Sequence, residues 1–174
     1  MKIGKKALLV IDMLNDFVLP GAPLEVPGAR TIIPSIKREF DKARREGTPV
    51  VYLCDQHEAG DPEFRVWSPH AVKGTEGAEV VSELKPQPGD YIIPKTSYSG
   101  FFETELDSLL RKLGVDELIL TGVVTNICVL YTGADALMRG YRVVVSENQV
   151  AALNEEDHRF ALRQLREVLK PKMG

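Results

Sequence analysis

The sequence predicts an α/β fold: an open, doubly wound (Rossmann-like), mostly parallel sheet with helices on both faces, in one domain over residues 1–174. Three observations predict it. Short apolar runs alternate with segments of helical periodicity, the pattern of β-α-β units. Those runs are continuously apolar rather than alternating, as in strands covered on both faces. The chain has no internal repeat or low-complexity stretch, and its 174 residues suit a single core.

The elements follow in order. KALLVID (6–12) reads as a first strand ending in a carboxylate, and the Pro/Gly-rich VLPGAPLEVPGA as a loop. Ile36, Phe40 and Ala43 repeat at helical spacing within a helix from about Arg30 to Glu46, which Gly47 ends. PVVYLCD (49–55) is a second buried strand, with Cys54 in its core. Residues 56–89 are irregular and rich in proline, a length that in a compact domain marks a working loop or disorder. DYIIPK (90–95) is the third strand. Thr104 and Asp107 have capping-box spacing, ahead of a helix that packs Leu106, Leu109, Leu110 and Leu113 and stops at Gly114. DELILTG (116–122) is the fourth strand, followed by a helix from about Thr125 to Arg139 that buries Leu130, Ala134, Leu137 and Met138. YRVVVSE (141–147) is the fifth strand. Asn154 caps a final helix carrying Ala161, Leu165, Val168 and Leu169.

Composition removes several functions. The chain is 44 % hydrophobic and 27 % charged, with a net charge of −3. No Lys/Arg-rich run offers a surface to nucleic acid or an anionic membrane. The apolar runs are too short to span a bilayer. Asp12 interrupts the apolar N-terminal run and no small-residue cleavage site follows, so a cytoplasmic protein is expected rather than a secreted one. Its two cysteines imply no disulfide in that setting.

Ligands of such sheets bind beyond the carboxyl ends of the strands. Those ends carry Asp12, Asp55 with His57, Lys95, and, after the fourth strand, Cys128. Cys128 falls in the first turn of a helix, where free N–H groups and the dipole favour a thiolate. The competing reading is a small buried side chain like Cys54. As a nucleophile it would need a base, for which Asp12 is placed, with Lys95 as counter-charge. Asp55, His57 and His70 offer one oxygen and two imidazole nitrogens, a set that suits Zn²⁺, Fe²⁺ or Mn²⁺, with Asp61 and Glu63 as further donors. The competing reading is a polar loop with ordinary histidines. His158 is expected at the surface or in a helix cap.

Five ordered blocks carry a resemblance: LLVIDMLNDF (8–17), DQH (55–57), WSPHAVKGTEGAE (67–79), PKTSYSGFFETELDSLLRKLG (94–114) and TGVVTNICVLYTGADALMRGY (121–141). They resemble the isochorismatase-like cysteine hydrolases, most of all the nicotinamidase/pyrazinamidase branch. The resemblance implies Asp12, Lys95 and Cys128 as catalytic residues, and a cis peptide at Val123–Val124 that sets the Val124 and Cys128 N–H groups as an oxyanion hole. It implies a metal, zinc with iron or manganese as alternatives, on Asp55, His57 and His70. It places Phe17, Trp67 and Tyr98 around the substrate ring. The implied reaction releases ammonia from nicotinamide through a thioester; ureidoacrylate, carbamoylsarcosine and maleamate amidohydrolases are the near alternatives, and a thiol sensor the distant one. The resemblance also implies a homo-oligomer, dimer or tetramer, and a last strand after the final helix, which sets the expectation at five to six strands.

Overall fold

The computed structural model describes residues 4–169 and 172–173. Six strands form one parallel sheet: β1 (Lys5–Ile11), β2 (Val50–Asp55), β3 (Tyr91–Lys95), β4 (Val115–Val123), β5 (Arg142–Ala151) and the two-residue β6 (Lys172–Met173). Their spatial order is β3-β2-β1-β4-β5-β6. The order reverses between β1 and β4, so the crevice of this doubly wound sheet opens beyond Ile11 and Val123.

The period-2 geometry of the strands sorts side chains onto two faces. Leu8, Val10, Tyr52 and Cys54 pack under helix α2 (Ala29–Glu46) with Ile32, Ile36 and Phe40. Leu9, Ile11, Val51, Leu53 and Leu120 pack on the other face with Leu106 and Leu110 of α3 (Leu106–Leu113), Ala136 of α4 (Leu130–Met138), and Leu162 and Leu165 from and beyond α5 (Glu155–Arg163). A single helical turn, α1 (Asn15–Val18), follows β1. Gly47 and Gly114 close α2 and α3 in the left-handed conformation, which costs glycine least. Among the described residues no helix is long and apolar enough to cross a membrane.

Four expectations need correction. A π-helical turn, Thr125–Val129, precedes α4. Its extra residue rotates the helix that follows, so α4 buries Thr132, Gly133 and Ala136, while Met138 is 77 % exposed. A second π turn, Gln164–Leu169, extends α5 and leaves Val168 outside, although Asn154 does cap the helix by accepting from the Asp157 N–H. Thr104 and Asp107 form no capping box: Thr104 Oγ1 accepts from the Leu106 N–H, and Asp107 instead accepts from Tyr141 and Arg111. β5 runs four residues past the expected Glu147, rejoining β4 after a register break so that Val123 pairs with Ala151.

Candidate active site

Asp12, Asp55 and Lys95 stand at the ends of β1, β2 and β3. Parallel register makes Asp55 and Lys95 direct partners. Asp12 has a left-handed φ of 50°, donates its N–H to the Leu53 carbonyl and accepts the Asp55 N–H on Oδ1 at 2.8 Å. That fixes its carboxylate inward. Lys95 is fully buried; Nζ lies 2.8 Å from Asp12 Oδ2, bonds Asp55 Oδ1, donates to the Ser97 carbonyl, and lies 3.6 Å from Cys128 Sγ. Cys128 sits in the π turn, 5 % exposed, with its sulfur within 4.8 Å of both carboxylates. Although Lys95 is close to Asp12 Oδ2, that oxygen receives no well-angled hydrogen bond, so it keeps an acceptor site free.

Burial pushes the Asp12 carboxyl up to about 6, Asp55 adds to this, and Lys95 opposes it. Burial acts most strongly on Asp55, and upward, but the Lys95 ammonium and His57 together outweigh it and hold that carboxylate below its ordinary range. Burial acts against the Lys95 charge, yet Asp12 and Asp55 hold the amine well above its ordinary value. The Cys128 thiol is driven well above its usual value by burial, with Lys95 opposing and the two carboxylates adding. These upward influences run against the thiolate that the helix end would favour. Cys54 is core, as expected, and burial pushes its thiol up to about 12.

Gly122 explains how β1 and β4 approach closely enough for this. Its φ is 108°, and a Cβ there would fall inside the Ile11 carbonyl. The next peptide, Val123–Val124, is cis. Val124 and Cys128 border a narrow cleft whose other walls are Phe17, Leu24, Trp67, Tyr98, Ile127 and Leu153, with Asp55, Glu63 and His70 at its polar end. Trp67 Nε1 donates to the Tyr98 hydroxyl at 3.2 Å across the mouth.

The loop 56–89 gathers the second cluster. Asp55 Oδ2 lies 3.9 Å from His57 Nε2 and 3.8 Å from His70 Nε2. His57 Nδ1 pairs with Asp61 at 3.1 Å, and His70 Nδ1 with the Ser68 carbonyl at 2.7 Å. Both rings are thereby oriented with Nε2 towards Asp55. His57 Nε2 is fully buried and has no hydrogen-bond partner, a costly state for an isolated nitrogen. Glu63 Oε2 stands 4.0 Å from it, whereas Asp61 is spent on His57 Nδ1 and on capping the turn at 62–65. Phe17 and Phe64 close edge-on around the imidazoles. This donor set fits a divalent cation: a carboxylate and two oriented imidazoles, a second carboxylate at the rim, and two buried acids that Lys95 alone cannot neutralise.

Two contributors were not singled out from the sequence. Asp16 Oδ2 accepts the Ala71 N–H at 2.8 Å, next to His70, where Ala71 has φ 45°. Asn15 donates to the Glu76 carbonyl. Thus α1 clamps the loop, and the only sequence signal was its place in the NDF triplet beside Phe17. His158, expected at the surface or in a helix cap, is half-buried near the start of α5, with Nδ1 3.0 Å from Thr125 Oγ1.

The Isochorismatase domain model matches residues 6–172. The chain is 41 % identical over 170 residues to the isochorismatase family protein PncA of Bacillus subtilis, covering 91 % of this chain and 92 % of that one. It is 35 % identical to the ureidoacrylate amidohydrolase RutB of Agrobacterium fabrum, covering 85 % and 76 %. Among solved structures, the pyrazinamidase/nicotinamidase of Streptococcus mutans superposes with a TM-score of 0.92 at 36 % identity, covering 98 % of this chain and 100 % of that one. The N-carbamoylsarcosine amidase of Thermoplasma acidophilum superposes with 0.88 at 40 % identity, covering 97 % and 95 %. The pyrazinamidase of Pyrococcus horikoshii, in complex with zinc, superposes with 0.92 at 33 % identity, covering 98 % of each.

Proposed function

Because the chain belongs to the isochorismatase family, as a hydrolase acting on amides, we propose that its substrate is a small, uncharged, planar amide, nicotinamide first, cleaved to nicotinate and ammonia. One observation carries the choice. The residues lining the cleft beside Cys128 include no lysine or arginine, and Lys95 lies behind them, engaged with two carboxylates. Ureidoacrylate and N-carbamoylsarcosine each carry a carboxylate that these walls would leave without a side-chain cation. The aromatic and aliphatic walls suit a flat neutral ring.

In this reading Asp12, ionised, takes the thiol proton on Oδ2 as Cys128 Sγ attacks the amide carbon. The Val124 and Cys128 N–H groups receive the oxyanion. Lys95 holds both carboxylates in place and offsets the negative charge that builds at sulfur. Asp12 returns the proton to the departing nitrogen, so ammonia leaves and a thioester remains. Water, deprotonated by Asp12, attacks the thioester; nicotinate departs and the thiol is restored. Asp55, His57, His70 and Glu63 would hold the metal, zinc by their donor types, with iron and manganese as alternatives. When bound, the ion supplies a Lewis-acid anchor for the ring nitrogen. Phe17, Trp67 and Tyr98 orient the ring. A cytoplasmic location belongs to the same reading. The thiol-sensor alternative loses support, since sensors need an accessible, low-pKa sulfur and Cys128 is neither.

Ammonia release from nicotinamide, ureidoacrylate and N-carbamoylsarcosine tests the proposal, with Cys128→Ala as control. Nicotinamide should exceed the two acids in kcat/KM by about 100-fold or more. A preference for either acid removes the substrate reading, and undiminished turnover by Cys128→Ala removes the thioester.

A further inference from the structure

We propose that His158 is a positioning residue for the oxyanion turn, acting through Thr125; the proposal rests on the cysteine amidase reading above. The chain has three histidines, and two are in the metal loop. The third lies on α5, with Nδ1 3.0 Å from the hydroxyl of Thr125. Thr125 is completely buried, directly follows the cis Val123–Val124 peptide, and opens the turn that carries Cys128. Both proposed oxyanion donors therefore lie within three residues of it.

The turn is held from inside by its own backbone. The Val124 carbonyl accepts from the N–H groups of Ile127 and Val129, at 3.0 and 3.2 Å. From outside, side-chain hydrogen bonds reach the turn at Cys128, from Lys95, and at Thr125, from His158. The first involves the reacting atom. The second leaves the reacting atom free and ties the turn, already packed into both cores through Val124 and Val129, to α5. Its base is firm, because α5 is capped by Asn154 and buries Ala161 and Leu162 on its inner side. Leu153, just before that cap, is itself a wall of the cleft.

An oxyanion hole works only while its donors stay aimed at the position the oxygen will take, and removing one donor typically slows catalysis by about 10²–10³. Loosening the turn without removing a donor should cost less. His158→Leu is expected to lower kcat about tenfold, with KM, metal content and melting temperature near wild type. His158→Asn places a polar atom near the former Nδ1 and should recover most of the loss. Thr125→Val should cost as much as His158→Leu, and the double variant no more than either, because both sever one interaction.

Kinetics on whichever amide the wild-type protein hydrolyses supply the first readout, so failure on nicotinamide alone leaves this arm intact. Ring ¹⁵N NMR supplies a second that needs no turnover: Thr125→Val should move the His158 Nδ1 resonance and leave those of His57 and His70 in place. The proposal is overturned by a kcat for His158→Leu within about twofold of wild type, by a loss confined to KM or metal content, by additive single effects, or by an unmoved Nδ1 resonance.

Discussion

The two halves of the site are built by different means. The proposed nucleophile half, Asp12, Lys95 and Cys128, hangs on strand ends and the turn after β4, and its positions follow from sheet register. The proposed metal half, His57, His70 and Glu63, belongs to a loop whose only regular pieces are short 3₁₀ turns and isolated bridges. Backbone bridges at His57–Val72 and Leu14–Val80 pin the loop, and side chains aim its donors: Asp61 on His57, and Asp16 on the residue after His70. Asp55 belongs to both halves, one oxygen on Lys95 and the other facing the imidazoles. Reactivity therefore depends on the sheet, and ligand binding on a few clamps that can fail one at a time.

The sharpest break between the halves is expected from Asp12→Asn. An amide cannot take the thiol proton, so turnover should fall by on the order of 10³ or more, while the metal content measured by elemental analysis stays at wild type. Loss of metal together with activity would show the two halves to be one unit. Gly122→Ala comes next and acts on the fold. A methyl group inside the Ile11 carbonyl, at a φ that alanine resists, should cost more than about 4 kcal/mol in urea melts, through separation of β1 from β4.

Asp16→Ala probes the other half. Removing the carboxylate that holds Ala71 should weaken metal binding by about 10–100-fold in a chelator competition. The Cys128 alkylation rate of the metal-free protein should not change. An equal effect on that rate would end the distinction drawn here. Tyr141→Phe serves as the remote control. The Tyr141 hydroxyl donates to Asp107 at 2.7 Å; burial alone would raise the Asp107 carboxyl, but this bond and Arg111 hold it below its ordinary range. The variant should lose about 1 kcal/mol at neutral pH, with kcat and metal content intact. Because the carboxyl is lowered in the folded protein, the bond's contribution is present above the ordinary carboxylate range. It fades as pH falls through the lowered value, so the gap between variant and wild type should narrow in acid.

The same division governs what could be read from residues alone. Continuous apolar runs such as VVYLCD marked the buried strands, and the polar residue ending each run marked the site, because a parallel sheet delivers its strand ends to one edge. The meeting of Asp12, Asp55, Lys95 and Cys128 at one edge was legible for that reason. Periodicity failed where the helix itself departed from 3.6 residues per turn: the π turn at Thr125–Val129 shifted the buried stripe away from Met138. Clamps such as Asp16 and His158 were illegible, since each acts on a partner 55 or 33 residues away and sits in an unremarkable helical position. The upward pull on the Cys128 thiol was not legible, because the burial and the two carboxylates that cause it come only with the assembled fold.

The closeness of β1 and β4 at Gly122 has a consequence for redesign. The room for variation in this molecule is unevenly distributed. Trp67, Tyr98 and Leu153 belong to connections that touch the cleft from outside the sheet, so libraries at these sites can reshape what enters it. Position 122 offers no such freedom, as any side chain there would push the first strand away from the fourth and carry the acid away from the sulfur. An engineer seeking a new amide for this scaffold should treat that one glycine as part of the machinery, although it carries no reactive group.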